Sequence, residues 1–208
     1  MRLLLLAAGL LSLAAAAALG ADAGFGLPSE DRSSMSRLQR LAGPLGSAAA
    51  SVQWMRFTLT VHSGDGTRAL AMGQSALAMD PLAPDGWQLL AHHLAFERGS
   101  SIEAAKEGDR RAWIEAGLDL LEEGAEVSRF PGVLLYDMAL VALFFGTLPE
   151  EDRPWPGCQE ELVARAIAGF RGAAAAGHSA GPRALADALE MAQQLGIATE
   201  NRGENPGR

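Results

Sequence analysis

The chain has 208 residues, a formal net charge of −8, a pI near 5.0 and a single cysteine. That length suits one domain of ordinary size whose core needs no covalent staples, and Cys158 has no intrachain partner, so it reads as a small buried side chain or a free thiol. The acidic balance, with scattered arginines and Lys106 as the only lysine, excludes the concentrated basic surface that wrapping a nucleic acid requires.

The chain opens with Met1 and Arg2, then an apolar run over residues 3–19 broken only by Gly9 and Ser12, then Gly20-Ala21-Asp22-Ala23. A positive charge, an apolar stretch and small residues at Ala21 and Ala23 are the order of an export signal. As a helix the run would span roughly 25 Å at ~1.5 Å per residue, short of the roughly 30 Å hydrocarbon layer. Residues 1–23 therefore read as a cleaved signal peptide, with an uncleaved anchor as the alternative. The implied location is periplasmic or secreted, or, in the second case, the inner membrane with attachment through residues 3–19. No cysteine follows the run to accept a lipid. Residues 24–44, with Gly24, Gly26, Pro28, Gly43 and Pro44, read as a flexible leader carrying a short helix around residues 35–42.

Residues 45–197 alternate apolar-periodic segments with short breaks rich in Gly, Pro, Asp and Ser, and no strand alternation is sustained, so the fold class is all-α. Residues 67–79 present Ala69, Leu70, Gly73, Ala76 and Leu77 on one face, and residues 85–98 present Trp87, Leu90, Ala91 and Leu94. Further stripes are Trp113, Gly117, Leu120, Leu121, Gly124 and Val127; Val163, Ala166, Ile167 and Phe170; and Leu185, Ala188, Leu189, Ala192 and Leu195. Small residues on these faces let helix axes approach closely, which favours antiparallel pairs. Residues 133–145 are apolar almost all round, interrupted only by Asp137 and the Tyr136 hydroxyl; at 13 residues they are too short to span a bilayer and read as the central core helix. Residues 198–208 read as a disordered tail.

One internal repeat carries a family resemblance. The segment Ala69-Leu70-Ala71-Met72-Gly73-Gln74-Ser75-Ala76-Leu77-Ala78-Met79-Asp80-Pro81 resembles the second helix of a tetratricopeptide repeat and its exit turn, and Trp87, Leu90, Ala91 and Leu94 resemble the start of the next repeat. Residues 51–62, with Trp54, Phe57 and Val61, supply the first helix of the first pair. The match is specific over residues 51–96. It departs from the pattern in a polar insertion at residues 99–111 and in the Pro-rich loop of residues 148–156, so three to four degenerate helix pairs are expected. The resemblance implies a short right-handed solenoid whose first helices line a concave groove for a peptide or protein. On that reading Trp54, Thr58 and His62 from the first pair and Gln88, His92 and Phe96 from the second are the binding residues, rings giving area and polar groups direction. Trp54 and Phe96 are also ordinary core candidates.

Against this stand chemical motifs with simpler readings. Gly177-His178-Ser179-Ala180-Gly181 fits the G-x-S-x-G nucleophile elbow, but the residues before it are helical in pattern and no histidine follows Ser179. His93 and Glu97, four apart, can share a metal on one helical face beside His92, yet a third ligand would have to come from His62 or Asp65. A metal-dependent or hydrolytic enzyme using His92, His93, Glu97 or Ser179 is thus the alternative to the principal expectation: a non-enzymatic exported scaffold without cofactor or metal, acting by protein–protein or peptide binding in the cell envelope. The acidic pairs Glu122-Glu123 and Glu160-Glu161 read as solvated surface, the latter also suiting a helix start. Trp155, between Pro154 and Pro156, either docks on a partner or tucks back onto the helices.

Overall fold

Pro, Gly and Asp punctuate the helix ends in the computed structural model, which describes residues 37–100 and 107–198. Among the described residues there are seven α-helices and no strand. None of these helices is long and apolar enough to cross a membrane. The export-signal run of residues 3–19, most of the 24–44 leader and the tail from residue 199 lie outside the described residues. The chain divides into two compact units, one up to Asp80 and one from Pro81 onward.

The first unit contains α1 (Arg37–His62) and α2 (Gly66–Met79), packed on each other. The backbone of α1 continues through Gly43 and Pro44, where the sequence pattern suggested a break; Pro44 removes one backbone donor without ending the helix. The turn that follows uses Gly64 at φ 80°, a left-handed conformation that glycine adopts without strain. Asp65 then caps α2, its carboxylate accepting from the Arg68 N–H at 3.1 Å. The expected small-residue face of α2 is the buried one: Ala69, Gly73, Ala76 and Leu77 are buried, as are Ala50 and Phe57 of α1, the helix it packs on.

The second unit is built around α5 (Pro131–Gly146), which packs against α3 (Pro84–His92), α4 (Glu107–Val127), α6 (Cys158–Ala175) and α7 (Gly181–Gln194). This is the central helix the apolar run of residues 133–145 announced, begun by Pro131 at its first turn, where a missing N–H does no harm. Its burial is not complete all round, because Leu140 and Phe144 face solvent. The stripe expected on α6 is buried in full: Val163, Ala166, Ile167 and Phe170.

On α4 the buried face matches the expected stripe in part: Gly117, Leu121 and Gly124 are buried, joined by Ile114 and Leu118, while Val127 is exposed and Trp113 and Leu120 are half-buried. Contact with α3 and its continuation on one side and α5 on the other buries two sectors of α4, which a single stripe does not capture. Gly124 makes room for Trp87, whose ring atoms would stand 2.7 Å from a Cβ at that position. The Trp87 indole N–H is in turn tied to the Pro81 carbonyl at 2.8 Å.

Trp155 tucks back. It is buried with Pro154, and the Arg111 guanidinium lies 5.0 Å over its ring. Arg110, one residue earlier on α4, donates to the carbonyls of Gly99, Asp152 and Arg153 and so fastens the loop to the helix. Cys158, at the start of α6, is buried.

Candidate functional site

At the end of α3 the helix does not stop but widens. Residues His93–Arg98 form a π-helical turn, closed by the Gly99 N–H donating to Leu94 O at 2.9 Å across five residues. Such insertions are uncommon and recur at functional sites. The sequence pattern read residues 85–98 as one amphipathic helix and carried no sign of the change.

Adjacent positions on a helix point in different directions, and here this separates the two histidines. His93 is buried, its Nδ1 2.9 Å from Oε2 of the exposed Glu97. His92 is half-exposed, and its Nε2 lies 2.9 Å from Oδ2 of Asp137 on α5. Asp137 is the only acidic residue in α5 and is buried there. The two polar atoms stand within hydrogen-bond distance of each other. Polar contact with the Asp137 carboxylate raises the His92 pKa above its ordinary 6.5, burial pulls it down, and the charge of the same carboxylate adds to the rise.

An aromatic rim surrounds the pair. The Phe96 ring stands edge-on to His92 at 5.7 Å and to Phe144 at 5.4 Å, and stacks on Phe145 at 5.2 Å. Phe145 points into the core, whereas Phe96 and Phe144 are exposed. Leu89 lies one helical turn before His92, and Leu140 lies between Asp137 and Phe144 on α5; both are exposed. The result is an apolar face with one half-exposed imidazole, held by a buried carboxylate, at its centre. Such a surface offers contact area and a single directional polar group.

Of the residues the sequence nominated, His92 and Phe96 meet within this face, and Gln88 lies half-buried one turn earlier on α3. Trp54, Thr58 and His62 form their own ladder in the first unit. The Thr58 hydroxyl donates to Trp54 O at 3.1 Å, His62 Nδ1 lies 2.8 Å from Thr58 O, and Trp54 stands edge-on to Phe57 at 5.5 Å. Asp137, Leu140 and Phe144 were not nominated. Asp137 stood out only as an interruption of an apolar run; nothing local in the sequence ties it to His92.

The motifs with catalytic overtones land as follows. Ser179 is exposed in the turn between α6 and α7, with a helix before it where an elbow needs a strand. His93 and Glu97 face each other, and among the described residues no group of three His, Cys, Asp or Glu side chains converges to hold a metal. No family model matches the chain, and no curated protein or solved structure matches it either.

Proposed function

We propose that this chain is an exported helical scaffold of tetratricopeptide-like helix pairs that works in the cell envelope by binding a protein or peptide partner. The observation that carries the reading is the face formed by Leu89, His92, Phe96, Leu140 and Phe144, where large apolar side chains stay in water beside a supported imidazole. A domain with an interior to fill has no folding reason to leave two neighbouring phenylalanines outside, and exposed apolar patches of this kind mark interaction sites. The partner segment would lay aliphatic or aromatic side chains across Phe96 and Phe144 and set a polar group against His92.

The test is a photo-crosslinking amino acid at position 144 of the full chain in its native cells. A discrete adduct that disappears when Phe96 is changed to Ser supports the reading. Absence of any adduct above background, or an adduct indifferent to Phe96→Ser, removes it.

A further inference from the structure

His92 offers a partner one ring nitrogen only. Its Nε2 and Asp137 Oδ2, 2.9 Å apart, are both closed off from water, while the side chain as a whole is 43 % exposed. A carboxylate oxygen only accepts, so the proton between them sits on Nε2, and Nδ1 is the polar atom left for contact. Asp137 is the only charged residue of α5, and among the described residues His92 is its only counter-charge. A carboxylate shut inside an apolar helix keeps its charge at least cost when the imidazole beside it is positive. The contact moves the His92 pKa in that same direction. In this state Nδ1 is a positively charged N–H donor at the centre of a face whose other members, Leu89, Phe96, Leu140 and Phe144, are apolar.

The neighbouring charges are engaged elsewhere. On its own helix Asp85 lies in the first turn of α3, and in the π turn Glu97 is turned to His93 while Arg98 lies over Trp113 of α4. On α4 itself Arg110 is taken up by the carbonyls of Gly99, Asp152 and Arg153, Arg111 by Glu115 and Glu161, and Asp119 and Glu122 by Arg165. Among the described residues only Asp137 comes within ion-pair distance of the imidazole, so the chain's net charge of −8 is carried on other surfaces.

A partner that covers the face takes water away from the Nδ1 N–H. A wholly apolar segment would strand that donor, and a lysine or arginine would meet its like charge; a carboxylate gives it a charge-assisted hydrogen bond. Leu89 lies one turn before His92 and Phe96 one turn after it, so apolar contact extends to both sides of the ring. The group that reaches the imidazole therefore comes from the middle of a segment and not from a chain end. Taking this face as the partner site, we propose that it selects a segment with an aspartate or glutamate set between large apolar residues, whose carboxylate accepts from Nδ1 of the His92 imidazolium. Recognition then depends on a proton: the preference is full where the imidazole is charged and is lost as pH rises through the raised His92 value.

The experiment titrates the full-length chain with three peptides blocked at both ends: Leu-Phe-Glu-Leu-Phe and the same peptide with glutamine or lysine at its centre. Affinity is read by calorimetry and the His92 ring by its Cε1–H resonance. At about pH 6 the glutamate peptide should bind about tenfold more tightly than the glutamine peptide, with the lysine peptide weakest; by about pH 9 the first two should be equal. Binding of the glutamate peptide should also raise the midpoint of the His92 ring titration. His92→Gln should erase the preference for glutamate without abolishing binding, whereas Phe96→Ser should weaken all three peptides by the same factor. A glutamine or lysine peptide that matches the glutamate peptide at about pH 6, or a preference that persists at about pH 9, overturns the proposal. If such binding still falls with Phe96→Ser, the partner-site reading survives that failure. Absence of binding by every peptide overturns the proposal as well, and the crosslink at position 144 then decides the face on its own.

Discussion

His92 Nε2 and Asp137 Oδ2 stand 2.9 Å apart, joining the last residue of α3 to the middle of α5. Because folding raises the His92 pKa, protonation and folding favour each other; the pair's contribution is full below 6.5 and is lost as pH rises through the raised value. The imidazole is 43 % exposed, so solvent screens much of the effect. Asp137→Asn should therefore lower stability by only about 1 kcal/mol on the acid side of neutrality and by less at alkaline pH. Urea unfolding at a series of pH values checks this: the difference between variant and wild type must shrink as pH rises.

Phe144 and Phe145 are neighbours in sequence with opposite surroundings, 51 % and 4 % exposed. Phe145→Ala should destabilise the chain by about 3–5 kcal/mol, as deletion of a buried ring does. Phe144→Ser should stay within about 0.5–1 kcal/mol of wild type. Thermal unfolding of the two variants separates them, and a large loss from Phe144→Ser would show that this ring serves the core.

Gly124 is the floor under Trp87, and the indole is held at its other end by the Pro81 carbonyl. A ring fixed this way cannot swing aside, so Gly124→Ala should destabilise by about 1–3 kcal/mol. Combining it with Trp87→Leu should give less than the sum of the two single losses, since the smaller side chain vacates the space the methyl needs. A double-mutant cycle by chemical denaturation reads this coupling directly.

Trp155 is buried between two prolines beneath Arg111. Trp155→Ala should lower stability by about 3–5 kcal/mol, and limited proteolysis should then cut near residues 148–156, the loop that Arg110 fastens by its backbone carbonyls. Arg111→Ala, on the outer side of the same ring, is the milder change and should leave the loop resistant.

Much of this architecture was legible because local chemistry marks it. Pro84, Pro131 and Asp65 sit at helix starts for reasons confined to one turn of backbone, and the spacing of Ala69, Gly73 and Ala76 shows a close-packed face without reference to the neighbour. Two things were not legible. On α4 the buried Gly117, Leu121 and Gly124 belong to the expected stripe but Ile114 and Leu118 do not, because two elements cover that helix from different directions and one periodic stripe cannot report both. The site rests on a pair 45 positions apart: His92 was among the expected binding residues, but Asp137 had only the reading of an interruption in an apolar run, and nothing local ties the two together before α3 packs on α5.

The π turn at residues 93–98 is one residue longer than the α turn it replaces. Removing a single residue there would leave a continuous rod, with the Gly99 amide reaching a carbonyl four positions back. Residues 84–92 of α3 would then be rotated by about 100° relative to the residues that follow the turn, and His92 could no longer meet both Phe96 and Asp137. The local geometry of the site thus depends on chain length: a one-codon deletion that backbone bonding tolerates would dismantle it, whereas many side-chain exchanges nearby would not.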